Sequence, residues 1–239
     1  MKKYNILIVS GWAMSIEVWN RMNELLSEEN YIEMINWQQA TDLDDFYTII
    51  ENKVDSFKGN IVVIAWSMGT LAVLGLKKKF LIKIDKLILI SSTSKFIRDK
   101  TYKMGWPKRT LNKMKNDIAK NKYNVLDEFL ENMLYENEIK FYKELINFIN
   151  LNNDIKNIIL GLDFLINEDV RENIKNIKSD VLLIHGSRDK ICSMDSAKFI
   201  YDNLNCNKTF EILCHTGHIP FYTNKEYVFN LIKIFLLQV

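Results

Sequence analysis

The segment Ile61–Thr70 reads IVVIAWSMGT, and it decides the fold assignment. Its first half is an apolar run typical of a buried strand, and after Gly69 the apolar side chains continue at helical spacing. Small residues around Ser67 let a strand turn sharply into a helix, which leaves the serine hydroxyl exposed in the turn. This pattern indicates a nucleophile elbow, with Ala65 in place of its first glycine. A serine that only caps the helix is the alternative.

Short strand-like runs alternate with longer helical patterns on both sides of this segment. Six runs predict strands, at Asn5–Val9, Tyr31–Asn36, Asn60–Ala65, Lys86–Ser91, Asp180–His185 and Thr209–Leu213. Five predict helices, at Ile16–Leu26, Leu43–Val54, Gly69–Lys79, Asp195–Leu204 and Lys225–Leu237. The alternation predicts an α/β fold with a mostly parallel, doubly wound sheet of about six strands.

The stretch from Ser92 to Lys178 interrupts this alternation. It contains no convincing strand, but Leu126–Leu134 and Phe141–Leu151 are amphipathic. A long structureless loop is improbable inside a compact domain, so we expect a helical cap at residues 93–178. The core would then comprise residues 1–92 and 179–239.

Composition favours a soluble globular protein of 239 residues, with 48% hydrophobic and 26% charged residues. The longest apolar runs are too short to cross a bilayer, and the run at Ile6–Val9 is too brief for a signal peptide. The cysteines Cys192, Cys206 and Cys214 are odd in number and lack CxxC spacing, which fits neither a disulfide framework nor a zinc site. We therefore expect a cytoplasmic monomer without metal or cofactor.

A serine nucleophile needs a base within hydrogen-bond reach. The three histidines, His185, His215 and His218, are all candidates. His218 is favoured because it follows the last predicted strand, at the sheet edge where parallel sheets gather their functional loops. The order of residues in the chain also suits it. His215 lies in the same loop and stays an alternative.

The base in turn needs an orienting carboxylate from the same edge of the sheet. Asp189 directly follows the strand Asp180–His185 and lies between serine and histidine in sequence. A turn aspartate that binds only local N–H groups is the alternative for this residue. Asp195 is the second choice, although it suits the first turn of a helix better.

An oxyanion requires two preorganised donors, which are commonly backbone N–H groups. The residue after the nucleophile, Met68, supplies the first. The second is expected from the loop after the first strand, where Gly11 precedes Trp12. We therefore predict the N–H groups of Met68 and Trp12 as the oxyanion donors.

With these residues placed, the chain resembles the α/β-hydrolase superfamily over nearly its full length. Within it, the chain is most similar to the pimeloyl-acyl-carrier-protein methyl ester esterases of biotin synthesis. The likeness rests on short segments, namely SGWAMSIEVW at Ser10–Trp19, AWSMG at Ala65–Gly69, SSTSKF at Ser91–Phe96, Trp106 with Pro107, GLDFL at Gly161–Leu165, HGSRD at His185–Asp189 and HIPF at His218–Phe221. The tryptophan before the serine, Trp66, is the most selective of these residues.

The resemblance implies a role for individual residues. Ser67 would be the nucleophile, His218 the base and Asp189 the orienting acid, with Trp12 and Met68 as oxyanion donors. The family lines its acyl channel with a cap segment that here matches Phe129–Met133. The resemblance thus implies substrate contacts by Trp12, Phe129 and Met133.

The predicted cap begins with a strongly basic stretch. Lys95–Lys122 contains ten Lys or Arg and two Asp, a local charge of +8 in a chain whose net charge is +2. Such a face would attract the acidic carrier protein of the implied substrate, with Lys108, Arg109 and Lys113 as contacts. A solvated lysine-rich surface is the alternative. No nucleic-acid-binding motif accompanies the charge.

These observations predict a serine carboxylesterase whose first substrate is pimeloyl-carrier-protein methyl ester. A general carboxylesterase, or another hydrolase of small acyl substrates, would share the triad but differ in the cap pocket. A non-catalytic binding protein with the same fold is the alternative from another class.

Overall fold

A computed structural model describes residues 3–149 and 154–238 of the chain. Its sheet has six parallel strands in the order β2-β1-β3-β4-β5-β6. They are β1 Asn5–Val9, β2 Tyr31–Ile35, β3 Ile61–Trp66, β4 Lys86–Ile90, β5 Asp180–Gly186 and β6 Lys208–Leu213. Each predicted strand lies within one residue of an observed strand at both ends. The predicted α/β class and doubly wound parallel sheet are confirmed.

Helices cover both faces of the sheet. They are α1 Asn20–Ser27, α2 Asp45–Ser56, α3 Met68–Leu74, α4 Lys78–Leu81, α5 Lys108–Met133, α6 Tyr142–Leu145, α7 Ile155–Asn167, α8 Met194–Asn203, α9 Pro220–Thr223 and α10 Lys225–Leu237. The central strands β3 and β4 are buried along their whole length, as expected for parallel strands covered on both faces. None of the described helices is long and apolar enough to cross a membrane.

One predicted helix was too long. The pattern at Gly69–Lys79 predicted a single helix, but α3 ends before Gly75 and α4 begins only at Lys78. Glycine has a low helix propensity, and the carboxylate of Glu51 accepts the N–H of Lys77 in the connection. The chain therefore turns between two short helices.

The segment between β4 and β5 contains the helices α5, α6 and α7, whereas residues 91–107 are irregular. Its longest helix, α5, bends at Asn121, whose φ of −154° and ψ of 87° are not helical. The amphipathic pattern noted from Phe141 onward does not form one regular helix, since short 3-10 turns at Glu136–Phe141 and Ile146–Phe148 flank the single turn α6. Leu151 lies outside the described residues. The division into a core and a cap at residues 93–178 stays a prediction.

Candidate active site

Ser67 stands at the sharp turn between β3 and α3. Its φ of 54° and ψ of −120° are unusual for a residue with a side chain. The turn passes so close to β1 that a Cβ on Gly69 would lie 2.3 Å from the carbonyl oxygen of Val9. The Ser67 hydroxyl makes no capping hydrogen bond to α3. Its oxygen is instead free to face the neighbouring loops.

Three of the predicted site residues meet at the carboxyl edge of the sheet. The Nε2 atom of His218 lies 2.9 Å from Oγ of Ser67, and its Nδ1 atom lies 2.8 Å from Oδ2 of Asp189. Ser67 is 6% exposed, and the side chains of His218 and Asp189 are fully buried. The structure thus brings hydroxyl, imidazole and carboxylate into one hydrogen-bonded chain.

Asp189 is ionised in this setting. Burial would raise its pKa, but the charge and hydrogen bond of His218, together with His185 and the N–H of Cys192, hold the pKa below its usual value. Its second oxygen, Oδ1, accepts the N–H groups of Ile191 at 2.8 Å and Cys192 at 2.9 Å. Since an ionised carboxylate only accepts, Nδ1 of His218 carries the proton and Nε2 is left to accept from Ser67.

Trp66, which the sequence singled out without a role, holds the backbone of His218. Its indole N–H donates to the carbonyl oxygen of His218 at 2.9 Å, and the hydroxyl of Ser91 donates to the same oxygen at 2.9 Å. Both donors come from the core, at the ends of β3 and β4. They fix the loop that carries the imidazole.

The other histidines occupy different positions. His215 is exposed, and its ring stacks on Tyr135 with centroids 6.0 Å apart. His185 is fully buried on β5, with its Nε2 atom 2.9 Å from the carbonyl oxygen of Cys192 and 3.4 Å from Oδ2 of Asp189. Because a carbonyl oxygen can only accept, His185 carries its proton on Nε2 and donates it to the carbonyl oxygen of Cys192.

The sequence analysis did not predict that His185 would lie beside the carboxylate of Asp189. Its position four residues before Asp189 gave no sign that the turn folds the carboxylate back over the imidazole. The second-choice acid, Asp195, is an exposed residue in the first turn of α8. That helix is capped by the hydroxyl of Ser193.

The two residues predicted as oxyanion donors lie near the serine in different ways: Met68 follows it in the chain, and Trp12 lines the same cavity. Met68 is the first residue of α3, so its N–H has no acceptor within the helix. Trp12 follows β1, and its indole N–H donates to the carbonyl oxygen of Ile158 in α7 at 2.9 Å. Its ring also meets Phe129 edge-on, with centroids 4.9 Å apart. The predicted cap therefore anchors the Trp12 side chain.

A mostly apolar cavity of about 200 Å³ lies between Ser67 and the helices α5 and α7. Both halves of the bent helix α5 line it, together with Trp12, Trp106 and residues of α7. Phe129 is among the lining residues. Met133 is not, which departs from the expected substrate contact. It is the last residue of α5, its side chain is fully buried, and its carbonyl oxygen accepts the N–H of His218 at 2.8 Å.

The basic stretch is partly neutralised by nearby carboxylates. Lys113 lines the cavity and pairs with Asp117 at 2.6 Å. Lys115 pairs with Asp163 of α7. Lys108 and Arg109 are exposed at the start of α5. The exposed positive charge is therefore smaller than the local sequence charge of +8.

The parallel sheet, the elbow at its carboxyl edge and the helical segment between β4 and β5 define an α/β-hydrolase. Residues 32–222 match the family described as serine aminopeptidase, S33. The match covers well over half of the chain, which therefore belongs to this family. The chain is a hydrolase, so the predicted fold family and the predicted enzyme class are both confirmed.

Individual relatives extend this comparison. The chain is 28% identical to the pimeloyl-[acyl-carrier protein] methyl ester esterase of Wigglesworthia glossinidia brevipalpis, over 97% of this chain and 93% of the relative. It is 25% identical to the enzyme of the same name from Nitrosomonas europaea, over 93% and 91% of the two chains. An esterase structure from Exiguobacterium antarcticum superposes with a TM-score of 0.86 at 19% identity, covering 99% of this chain and 93% of the other. That last likeness concerns the fold alone.

Proposed function

We propose that this hydrolase is a serine carboxylesterase with Ser67 as the nucleophile, His218 as the base and Asp189 as the orienting acid. The hydrogen-bonded chain from Oγ of Ser67 to Oδ2 of Asp189 carries the proposal. A serine hydroxyl is a weak nucleophile at neutral pH, and an imidazole that accepts its proton activates it. The buried Asp189 stabilises the imidazolium that forms.

The reaction then runs in two steps. Oγ of Ser67 attacks the ester carbonyl while Nε2 of His218 takes its proton, and the carbonyl oxygen becomes an oxyanion that binds the N–H groups of Met68 and Trp12. The imidazolium returns the proton to the alkoxide, which leaves as an alcohol. In the second step, water attacks the acyl-enzyme in the same way. This step releases the carboxylic acid and restores the Ser67 hydroxyl.

The methyl ester of pimeloyl-acyl-carrier protein is the substrate we propose. The names of relatives that align over nearly the whole chain support it. The apolar cavity beside Ser67, with Phe129 in its wall, suits the methylene chain of an acyl group. The cap at residues 93–178 would select this chain, and the released alcohol would be methanol. Biotin synthesis in the cytoplasm is the setting that this substrate implies.

We further propose that the start of α5 binds the carrier protein. Lys108 and Arg109 are exposed there, and Lys113 stands at the cavity, so an acidic partner would meet positive charge where its acyl chain enters. Because Lys113 already pairs with Asp117, the first two residues would contribute most.

The test of the catalytic roles is Ser67→Ala. We expect turnover of p-nitrophenyl butyrate to fall by about 10⁴-fold or more, because the nucleophile is lost. Ser56→Ala, at an exposed serine, is the matched control and should keep full activity. A fluorophosphonate probe should label the parent protein at Ser67. Undiminished turnover by folded Ser67→Ala protein would refute the mechanism, and no labelling of the parent protein would favour a non-catalytic binding protein.

The substrate requires a separate assay. Purified protein should cleave pimeloyl-carrier-protein methyl ester, and its gene should restore growth of a biotin auxotroph that lacks this esterase. Hydrolysis of small esters without either result would make the chain a general carboxylesterase.

A further inference from the structure

A buried carboxylate from the predicted cap touches the loop that carries His218. Glu138 lies in the 3-10 turn Glu136–Phe141 and is 2% exposed. Its Oε2 atom accepts the N–H of Gly217 at 2.8 Å and the N–H of Tyr135 at 2.9 Å. Its Oε1 atom accepts the hydroxyl of Thr223 in α9. One side chain thus joins the segment between β4 and β5 to two parts of the core.

The histidine loop is held against this segment through two successive peptide groups. Gly217 donates to Glu138, and His218 donates to the carbonyl oxygen of Met133 at 2.8 Å. The approach is so close that a Cβ on Gly217 would lie 2.3 Å from that carbonyl oxygen and 2.8 Å from Oε2 of Glu138. Only a glycine fits between them. Residues at the ends of β3 and β4 also hold this loop, because Trp66 and Ser91 donate to the carbonyl oxygen of His218.

A role confined to local structure does not account for these contacts. A capping box requires only that the Glu138 carboxylate accept the N–H of Tyr135. The bonds to Gly217 and Thr223 lie beyond that motif, 79 and 85 residues away in sequence. A carboxylate is costly to bury unless its oxygens are hydrogen-bonded, and here the histidine loop supplies part of that bonding.

We propose that Glu138 is a positioning residue for His218. It fixes the peptide group of Gly217, and through it the direction from which the imidazole reaches Ser67. The imidazole geometry therefore depends on the placement of the cap. This inference rests on the proposed function, because it assigns Glu138 a role in activating Ser67. A displacement of a reacting group by about 1 Å can reduce a rate by about 100-fold.

Glu138→Ala tests the proposal against a matched control. Tyr222→Phe removes the 2.8 Å hydrogen bond from α9 to Glu144, which also joins this segment to the core but does not touch the histidine loop. We expect Glu138→Ala to lower kcat for p-nitrophenyl butyrate by about 10- to 100-fold, with KM within about twofold. Tyr222→Phe should keep kcat within about twofold. An equal loss of kcat in both variants, or none in Glu138→Ala, would overturn the proposal.

Rescue by the isostere separates positioning from a general need for a stable cap. In Glu138→Gln the amide oxygen can accept from Gly217 and Tyr135, while the NH₂ group can donate to the Thr223 hydroxyl. We expect this variant to keep more than about a third of the parental kcat. If Glu138→Ala does not fold, Glu138→Asp replaces it, because the shorter side chain cannot span Gly217 and Thr223 together. A kcat for Glu138→Asp equal to that of Glu138→Gln would then overturn the proposal.

Failure of the positioning role can be told apart from failure of the proposed esterase function. Parent protein that is inactive and unlabelled by a fluorophosphonate would refute the esterase itself. Active parent protein, inactive Ser67→Ala and fully active Glu138→Ala would refute only the positioning role.

Discussion

At the scale of single residues, the carboxylate of Asp189 organises the candidate site. Its oxygens bind two backbone N–H groups and the imidazole of His218, while the N–H of His185 lies 3.4 Å away. The same surroundings affect Cys192, which is 3% exposed and whose thiol reaches the Ser67 hydroxyl. Burial, together with the negative charge of Asp189, raises the pKa of this thiol well above its usual value.

The raised pKa predicts an unreactive cysteine beside the nucleophile. At pH 8, iodoacetamide should modify the exposed Cys214 first and leave Cys192 unmodified in the folded protein, because alkylation needs the thiolate. Burial also raises the pKa of Cys206, which should react at an intermediate rate. Peptide mass spectrometry over time measures the three rates, and unfolded protein is the control in which all three react. Modification of Cys192 as fast as Cys214 in folded protein would contradict the prediction.

At the scale of elements, an ion-pair cluster ties together the two connections between the core and the inserted helices. Lys95 follows β4 and Asp169 follows α7, and their side chains meet at 2.7 Å. Arg171 also pairs with Asp169 at 2.7 Å, and Lys95 bonds to Asp99 at 2.5 Å. The hydrogen bond from Arg171, with a further one from Lys95, lowers the pKa of Asp169 to about 2.

Asp169→Asn should therefore destabilise the protein in a pH-dependent way. The folded-state pKa lies below the unfolded value near 3.8, so the stabilisation is fully present above about pH 4 and is lost as the pH falls toward 2. Since the pair is partly exposed, we expect about 1 kcal/mol at pH 7, or a Tm lower by about 3 °C. Thermal unfolding between pH 2 and 7 measures this, with the exposed Asp202→Asn as control. A Tm difference that persists unchanged at pH 2 would show that the charge is not the cause.

At the scale of the whole molecule, charge is distributed unevenly along the chain. The net charge is +2, but Lys95–Lys122 alone carries +8, which leaves about −6 for the remainder. The ion pairs of Lys95 with Asp169 and of Lys115 with Asp163 reduce the positive charge of this stretch. The exposed start of α5 is therefore a better candidate for a carrier-protein contact than the rest of the basic stretch.

Charge reversal at Lys108 and Arg109 tests this contact. We expect the double variant to raise KM for pimeloyl-carrier-protein methyl ester by about tenfold and to leave p-nitrophenyl butyrate unaffected, because only the former brings an acidic partner. Lys113 is left intact since it lines the cavity. Reversal of the exposed Lys178 and Lys198, which lie outside α5, is the control for net charge. Equal changes for both substrates, or for both variants, would rule out docking there.

The sheet could be predicted from the sequence because each strand is a short local run rich in apolar residues, and the central strands β3 and β4 are apolar enough to be buried on both faces. The meeting of Ser67, Asp189 and His218 could also be anticipated, since parallel strands end at one edge. The break after α3 at Gly75 could not be predicted, because the carboxylate that accepts the N–H of Lys77 comes from Glu51 in α2. The resemblance implied a substrate contact by Met133, but this residue ends α5, and its carbonyl oxygen accepts the N–H of His218.

By itself, the sequence determined the parallel sheet, the elbow at Ser67 and the order of the residues that could act with it. These depend on local apolar patterns and on the common edge of parallel strands. Only the tertiary structure decided which groups hold them in place: Trp66 and Ser91 from the core, and Glu138 from the helices after β4. Hydrogen bonds between residues so far apart in the chain arise from packing, and no local pattern encodes them.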